Sequence, residues 1–515
     1  MLRKLRLFAI VIVVFIAASL LSLWSYGRFA ERSQGPAGHA LPLQEGGALD
    51  RAVAPLTEAR PGRSGMALLS DNLDAFAVRA LTARGAHRSL DLQYYLWHDD
   101  LTGRLLHYEL LRAADRGVRV RLLLDDLNAH GGQSPLIALD QHPNIEIRMF
   151  NPTRNRSGTL MRGMEMLLRL VSVNRRMHNK AWIADGRVAV VGGRNIGDEY
   201  FDAAADTNFL DLDAIVIGPA VQRTEAIFDE FWNSHSAIPL SALKRADAQA
   251  LPSLRERAAR AESLLRDHVF VQRLRNAPGV RAMLVGEQSL HWPERLEVLS
   301  DPASKAEGGT DGWLVRPLVE AMQEAQQRIH LISPYFVPGE RGLEWLKRKR
   351  ARGVEVGVLT NSLAATDVMA VHSGYAPYRV RLLEDGVRLY ELKPNGQQDS
   401  SLFGSSGASL HTKAFIVDDT TGFIGSFNID PRSISLNTEM GLLFRDAGAV
   451  RELQARYEEK TAPTQSYRLS LSDGALRWDD ATAQPPRAWE HDPESSAWKR
   501  SAVRVLGWLP IESQL

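Results

Sequence analysis

Apolar and polar residues alternate with the two-residue period of strands along Ser89–Leu96, Val118–Leu124 and Ile145–Arg148. A helical segment from about Leu105 to Arg116 separates the first two and ends at Gly117, which predicts a left-handed C-cap. The order then recurs. Ile329–Ile332 leads into a helix from about Leu343 to Gly353, followed by Val354–Leu359 and Val387–Tyr390. Gly117 and Gly353 are 236 residues apart, an offset that suggests duplication of one topology. Strands alternating with helices predict an α/β chain with a mixed or largely parallel sheet in each half. The halves should join between about 240 and 310, where 255–275 reads as a charged helix with a solvated face through Arg257, Arg260 and Arg266.

A different pattern opens the chain. Leu7 to Trp24 is uncharged and apolar, preceded by Arg3, Lys4 and Arg6. It is long for a signal-peptide core, and bulky Leu23, Trp24 and Tyr26 leave no small-x-small cleavage site. This reads as an uncleaved membrane anchor. The leading basic residues favour a cytoplasmic N-terminus with the rest of the chain outside, although Arg28 and Arg32 flank the far side. Residues 31–65, rich in Gly, Pro, Ala and Arg, read as a linker.

Composition narrows the function. A net charge of +1, from 62 basic and 61 acidic residues, provides no global field to gather nucleic acid. The chain has no cysteine, which excludes disulfides and thiolate metal sites.

The chemistry lies in two matched strings. His178, Lys180 and Asp185 recur as His411, Lys413 and Asp418, at an offset of 233 residues. Each runs into a glycine-rich tail, Gly192-Gly193-Arg194-Asn195 and Gly425-Ser426-Phe427-Asn428. A neutral imidazole can attack a phosphodiester phosphorus, while a protonated one supplies the leaving alkoxide with a proton. The ordinary histidine pKa lets both forms coexist near neutrality. Lys180 and Lys413, with Asn195 and Asn428, are suited to surround the non-bridging oxygens. Fixed cations and amides supply the electrophile, so no metal or cofactor is expected. Each histidine wants a carboxylate to hold its tautomer. Candidates are Asp211, or Asp213 on the same face, and Glu439, each opening an apolar strand. Asp185 and Asp418 belong to the motif but suit turns after the motif strands.

The paired HxKxxxxD motifs with GGxN and GSxN tails resemble the phospholipase D superfamily. The strings 93–100, 193–200, 361–367, 372–375 and 426–432 resemble bacterial cardiolipin synthases, the cardiolipin synthase C branch above all. The resemblance implies two phospholipase D-like α/β sandwich domains with pseudo-twofold symmetry, preceded by one transmembrane helix. The expected boundaries are an anchor at 1–30, linker at 31–65, domains at 66–270 and 271–465, and a tail at 466–515. It also implies transfer of a phosphatidyl group from phosphatidylglycerol or phosphatidylethanolamine to phosphatidylglycerol. His178 would be the nucleophile, His411 the acid and later base, and Asp211 and Glu439 would each support the histidine of the other half. Phospholipids and the bacterial inner membrane are the expected partners, with periplasmic catalytic domains and no nucleic acid. The alternative is a phosphodiesterase of the same fold, either a lipid hydrolase or a nuclease.

Other features have two readings. Tyr335, like Tyr94 and Tyr95, is either a core aromatic or a substrate wall. His372, near Tyr375, Tyr378 and Arg379, is either a surface histidine or a headgroup contact. Residues 161–170 fit an interfacial helix as well as a buried one. The apolar residues between Trp498 and Leu509 fit either a membrane-interface segment or packing onto the catalytic body.

Overall fold

The repeated strand–helix period closes into two sheets of one design. The structure is a computed structural model that describes residues 2–127, 133–156, 158–265, 268–279, 289–394, 407–509 and 512–515. Among these residues the first sheet has eight strands, ordered Gly65–Leu69, Asp213–Ile217, Val188–Gly192, Ala181–Ala184, Ser89–Tyr94, Arg119–Asp125, Ile145–Phe150 and Ala237–Pro239. The second has ten, beginning Arg295–Ser300, Met440–Arg445, Thr421–Gly425, Ala414–Val417 and Arg328–Ile332. It continues through Glu355–Asn361, Arg388–Leu392, Ser466–Ser472, Ala475–Asp480 and Arg487–Trp489. The first eight positions match between the sheets in order and in pairing sense, including the parallel trio 89–94, 119–125 and 145–150 and its counterpart. This is the duplication that the glycine offset foretold.

Helices Leu101–Asp115 and Gly339–Ala351 cross between the parallel strands in each half. Gly117 and Gly353 follow them at φ +93° and +83°, where a side chain would strain the backbone. One apolar cluster joins the halves, running from Ala181, Ile183 and Val191 through Ala414, Ile416 and Leu442.

Backbone pairing also crosses between the halves beside both motifs. Thr207–Leu210 of the first half lies parallel to Gly407–Leu410 of the second. Met177 and Thr438 form a parallel bridge in the reciprocal place. The pairs lead directly into His411 and His178.

Three expected boundaries need correction. The linker 31–65 contains a helix, Ala48–Glu58, and its extended part is tied to the first half by Pro36 and His39 carbonyls accepting from Arg148 and Arg119. Residues 466–489, expected in a tail, extend the second sheet by three strands. The charged helix is two helices, Ala250–Leu265 and Val269–Asn276, and Arg266 lies outside the described residues.

The N-terminal helix, Leu2–Ser33, is about 48 Å long at 1.5 Å per residue. Its apolar window has a mean hydropathy of 2.8 and none of it is buried, so it is long and apolar enough to cross a bilayer. Below that window, the Arg169 guanidinium lies 3.2 Å over the Tyr26 ring, and Arg154 donates to Ser25 Oγ at 2.9 Å.

Gly117→Ala should lower stability by about 1–2 kcal/mol through the left-handed backbone alone, since no atom lies within 4 Å of the added methyl. Denaturant unfolding of the detergent-solubilised chain measures this, and Gly353→Ala should match it.

Candidate active site

Each motif histidine is held by the opposite half at two points. His178 N–H donates to Thr438 O at 2.8 Å, and its ring Nδ1 meets Glu439 Oε2 at 2.7 Å. His411 N–H donates to Leu210 O at 2.8 Å, and its Nδ1 meets Asp211 Oδ2 at 2.6 Å. In both cases the carboxylate follows immediately after the carbonyl that accepts the histidine N–H. The crossed backbone pairing therefore sets the register that brings ring and carboxylate together. Both carboxylates are at least 96 % buried, so each is desolvated and dependent on its partners.

These contacts assign Nδ1 as the protonated nitrogen of each ring, which leaves Nε2 as the reactive atom. Lys413 Nζ also lies 3.0 Å from His411 Nδ1, but an Nδ1–H directed at Asp211 cannot accept from it. Lys413 donates instead to His411 O, as Lys180 does to His178 O at 2.7 Å. Each ammonium keeps further N–H donors for a ligand.

The two carboxylates are supported differently, and this explains the unequal glycine tails. A Cβ on Gly193 would sit 2.2 Å from Asp211 Oδ1, so only glycine leaves room for that carboxylate. At the matching position, Ser426 donates its hydroxyl to Glu439 Oε2, and Ser433 donates to Oε1 at 2.9 Å. Arg194, in the first tail, donates to Asp211 O at 2.6 Å from behind. Asp301 accepts from Glu439 N at 2.9 Å and pairs with Lys305 at 2.9 Å.

Asp213, the other candidate, is occupied by Arg79 at 2.9 Å and Arg194 at 3.4 Å. Asp185 and Asp418 sit at φ +54° and +52° and accept backbone N–H groups of 87–89 and 326–328. They tie the motif turn to the neighbouring strand. Asn195 Nδ2 donates to Tyr200 OH at 2.9 Å. Among the described residues, Oδ1 of Asn195 and Oδ1 of Asn428 are both buried without a partner.

Aromatic rings surround the imidazoles. Tyr95 meets His178 edge-on at 5.0 Å, while Tyr200 and Phe209 pack on His411 at 5.3 and 5.0 Å. Tyr335 donates to Asp367 at 2.8 Å, and its ring lies 5.9 Å from Lys413 Nζ. Tyr94, by contrast, is a core residue bonded to Arg79.

His372 is engaged elsewhere. It is buried, with Nε2 against Arg379 and 3.4 Å from Asp492, and burial pulls its pKa down to about 4. It closes an ion network with the C-terminal segment, rather than standing on the surface.

Charge sets the protonation states. Burial, followed by Lys180, Lys413 and His411, holds His178 well below the ordinary histidine value. His411 is lowered by burial and Lys413, with Asp211 partly offsetting them. Burial brings Lys180 down to about 7 and Lys413 to about 8. Burial raises Glu439 to about 7, whereas in Asp211 the same effect is outweighed by His411 and Lys413, and its pKa falls. The crossed backbone pairs and the ring–carboxylate contacts bring the two motif strands together, and these groups influence one another electrostatically. A cation is poorly matched to a site flanked by two lysines. Elsewhere, His98, Asp100 and Glu199 bring possible ligand atoms within 4.8 Å, but Asp100 already accepts from Gly103 and Asp198 N–H groups.

Tyr200, Phe209, Ser433 and the Asp301–Lys305 pair were not anticipated as site residues. Tyr200 ends the string that begins at Gly193, and Phe209 lies two residues before Asp211, so proximity to the motif was a usable signal. Asp301 and Lys305 carry no local signal.

The family profile described as "Cardiolipin synthase, PLD-like domain" matches residues 82–232 and 318–461, more than half of the chain. Cardiolipin synthase C of Escherichia coli K12 is 41% identical, over 90% of this chain and 99% of its own. An uncharacterized Helicobacter pylori protein is 33% identical, over 81% of this chain and 83% of its own. Among solved structures, the phosphatidylserine synthase of Haemophilus influenzae Rd KW20 superposes with a TM-score of 0.55 at 14% identity. That likeness covers 89% of this chain and 96% of the other, and supports the fold.

Gly193→Ala should displace Asp211 and cost about 1–3 kcal/mol by overpacking, seen as a lower midpoint of thermal unfolding. Ser426→Ala brings no clash but removes a donor from the buried Glu439 carboxylate and should cost about 1.5–3 kcal/mol.

Proposed function

The chain belongs to the phospholipase D-like cardiolipin synthase family, and we propose that its two motifs carry out phosphatidyl transfer in the crossed cleft. The enzyme is a cardiolipin synthase, moving a phosphatidyl group from phosphatidylglycerol or phosphatidylethanolamine to phosphatidylglycerol. The observation that carries the residue assignment is the exchange of carboxylates between halves, which leaves two Nε2 atoms free within one set of buried cations.

His178 is the nucleophile. Burial and the neighbouring cations hold its pKa well below the ordinary histidine value, which keeps its lone pair available. Nε2 of His178 attacks phosphorus, the bond from phosphorus to the headgroup oxygen breaks, and His411 gives its Nε2 proton to the departing glycerol or ethanolamine oxygen. Binding of the anionic phosphodiester favours the protonated form of His411 that this step needs. His411, now neutral, takes the proton from a hydroxyl of the second phosphatidylglycerol. That oxygen attacks the phosphohistidine, the phosphorus–nitrogen bond breaks, and His178 returns to its starting state. Lys180 and Lys413 hold the non-bridging oxygens throughout. Asn195 and Asn428 would contribute through side-chain N–H groups, since a carbonyl oxygen cannot donate to a phosphate oxygen. If oxygen and nitrogen of Asn195 exchange places, Tyr200 becomes the donor and an N–H faces outward.

The protein is a membrane protein with phospholipid substrates. Arg3, Lys4 and Arg6, in the first turns of the Leu2–Ser33 helix and ahead of its apolar stretch, support a cytoplasmic N-terminus and a catalytic body on the periplasmic side of the inner membrane. The domain division at about 270 remains our assignment, with 466–489 now counted in the second half.

His178→Ala and His411→Ala should each reduce transfer by ~10⁴-fold or more, because neither imidazole can act as nucleophile and acid in one step. Lys180→Met should lower kcat by about 10²–10³-fold while unfolding stays normal. The assay follows labelled phosphatidylglycerol, with and without phosphatidylethanolamine, in EDTA. Cardiolipin as product supports transfer, whereas phosphatidic acid alone indicates hydrolysis, and near-normal turnover of either alanine variant overturns the two-histidine scheme.

The free-enzyme pKa values also set a direction with pH. Above about 7 Lys180 loses its proton and above about 8 Lys413 follows, so the anionic substrate loses its cations. His178 stays neutral well below pH 6.5. A pH profile of kcat/KM should therefore fall as pH rises from 7 to 9, and a rise across that interval would refute the assignment.

A further inference from the structure

The Thr159–Leu168 helix is amphipathic in the inverted sense. Its charged residues face inward: Glu165 is buried, accepts from Arg154 and Asn155 N–H groups, and pairs with buried Arg169 at 2.9 Å. Its apolar residues Leu160, Met161, Met164 and Leu167 face outward, followed by Leu170 and Val171 on the next short helix, Leu170–Val173. Val171 is 75% exposed. In water this arrangement is unfavourable, because the apolar stripe of a surface helix normally turns toward the core.

What lies beside this helix identifies its environment. Ser25, Tyr26 and Phe29, just past the apolar stretch of the membrane helix, line a groove with Met161, Met164 and Arg169. The outward apolar face therefore stands beside the end of the N-terminal helix's apolar stretch. The C-terminal segment is tethered to the same place. Asn174 donates to Gln514 Oε1 at 2.6 Å, and Arg432 N–H donates to Leu515 O at 2.7 Å. Two positions before Gln514 is Glu512, itself only three residues from Leu509. This segment exposes Trp498, Val505, Trp508 and Leu509, with Trp508 81% exposed. Half-buried Lys499 and exposed Arg504 flank the second apolar face, cations suited to anionic headgroups.

We propose that the 159–173 helix pair and the 498–509 segment form one docking surface, and that its occupant is the headgroup–acyl boundary of the bilayer the anchor crosses. The inference deepens the transferase reading and rests on it. The pair ends five residues before His178, so docking would set the cleft mouth at the depth where a phosphodiester headgroup lies.

The natural absence of cysteine allows a direct test on the full chain reconstituted in vesicles of phosphatidylglycerol and phosphatidylethanolamine. Met164→Cys, Trp508→Cys and, as a control on an exposed helix of the second half, Ala455→Cys would each carry an environment-sensitive fluorophore. Nitroxide lipids labelled near the headgroup should quench the labels at 164 and 508 at least twofold more than the label at 455. Equal quenching at all three positions overturns the proposal, whatever the activity. Met164→Asp with Leu167→Asp should raise the apparent KM for vesicle phosphatidylglycerol about tenfold and leave turnover of dissolved short-chain phosphatidylglycerol unchanged. An unchanged vesicle KM also counts against docking. Failure of the unmodified chain to make cardiolipin from either form would instead sink the functional reading, and the quenching result would still decide whether this face meets lipid.

Discussion

The site depends on an exchange: the half that supplies each imidazole does not supply the carboxylate that orients it. His178 and Glu439 are 261 residues apart, and His411 and Asp211 are 200. The carbonyls of Thr438 and Leu210, each one residue before its carboxylate, accept the histidine N–H groups and fix the register. A slip of either crossed segment by one residue would turn the carboxylate to the other face of its strand. The apolar cluster shared by the sheets then holds the register in place. Fold and site are thus one constraint, because the docking that buries the shared core also completes both histidine–carboxylate pairs.

That constraint places strong electrostatic demands on a largely buried site. Two lysines, two imidazoles and two carboxylates share it, and burial is the first influence on each of them. The halves do not answer in the same way. Glu439 has hydroxyl donors in Ser426 and Ser433, whereas Asp211 has a gap left by Gly193 and a guanidinium at its back. The departure from twofold symmetry gives the two imidazoles different electrostatic surroundings.

Much of this was legible in the residues. The twin motifs, their offset and the strand–helix period all pointed to a duplicated α/β fold with two cooperating histidines. Asp211 and Asp213 were indistinguishable by spacing, since they share a strand face. Only the fold shows that Arg79 and Arg194 occupy one of them. The burial of His372 was not legible, because its partner Asp492 is 120 residues away, a separation no local pattern reports. The 161–170 stripe was ambiguous for another reason. Periodicity defines a helix face but not what the face meets, and here the buried Glu165 decides the direction.

The long separation between the partners also has a consequence during synthesis. A ribosome that has released the first half has produced His178 and Lys180 but not yet Glu439. Domains fold largely as they emerge, so the leading half can reach its own topology while its imidazole still lacks an orienting partner. Until Glu439 has been made, the His178 ring lacks the carboxylate that orients it in the finished fold. Competence arrives in one event, when the trailing half docks.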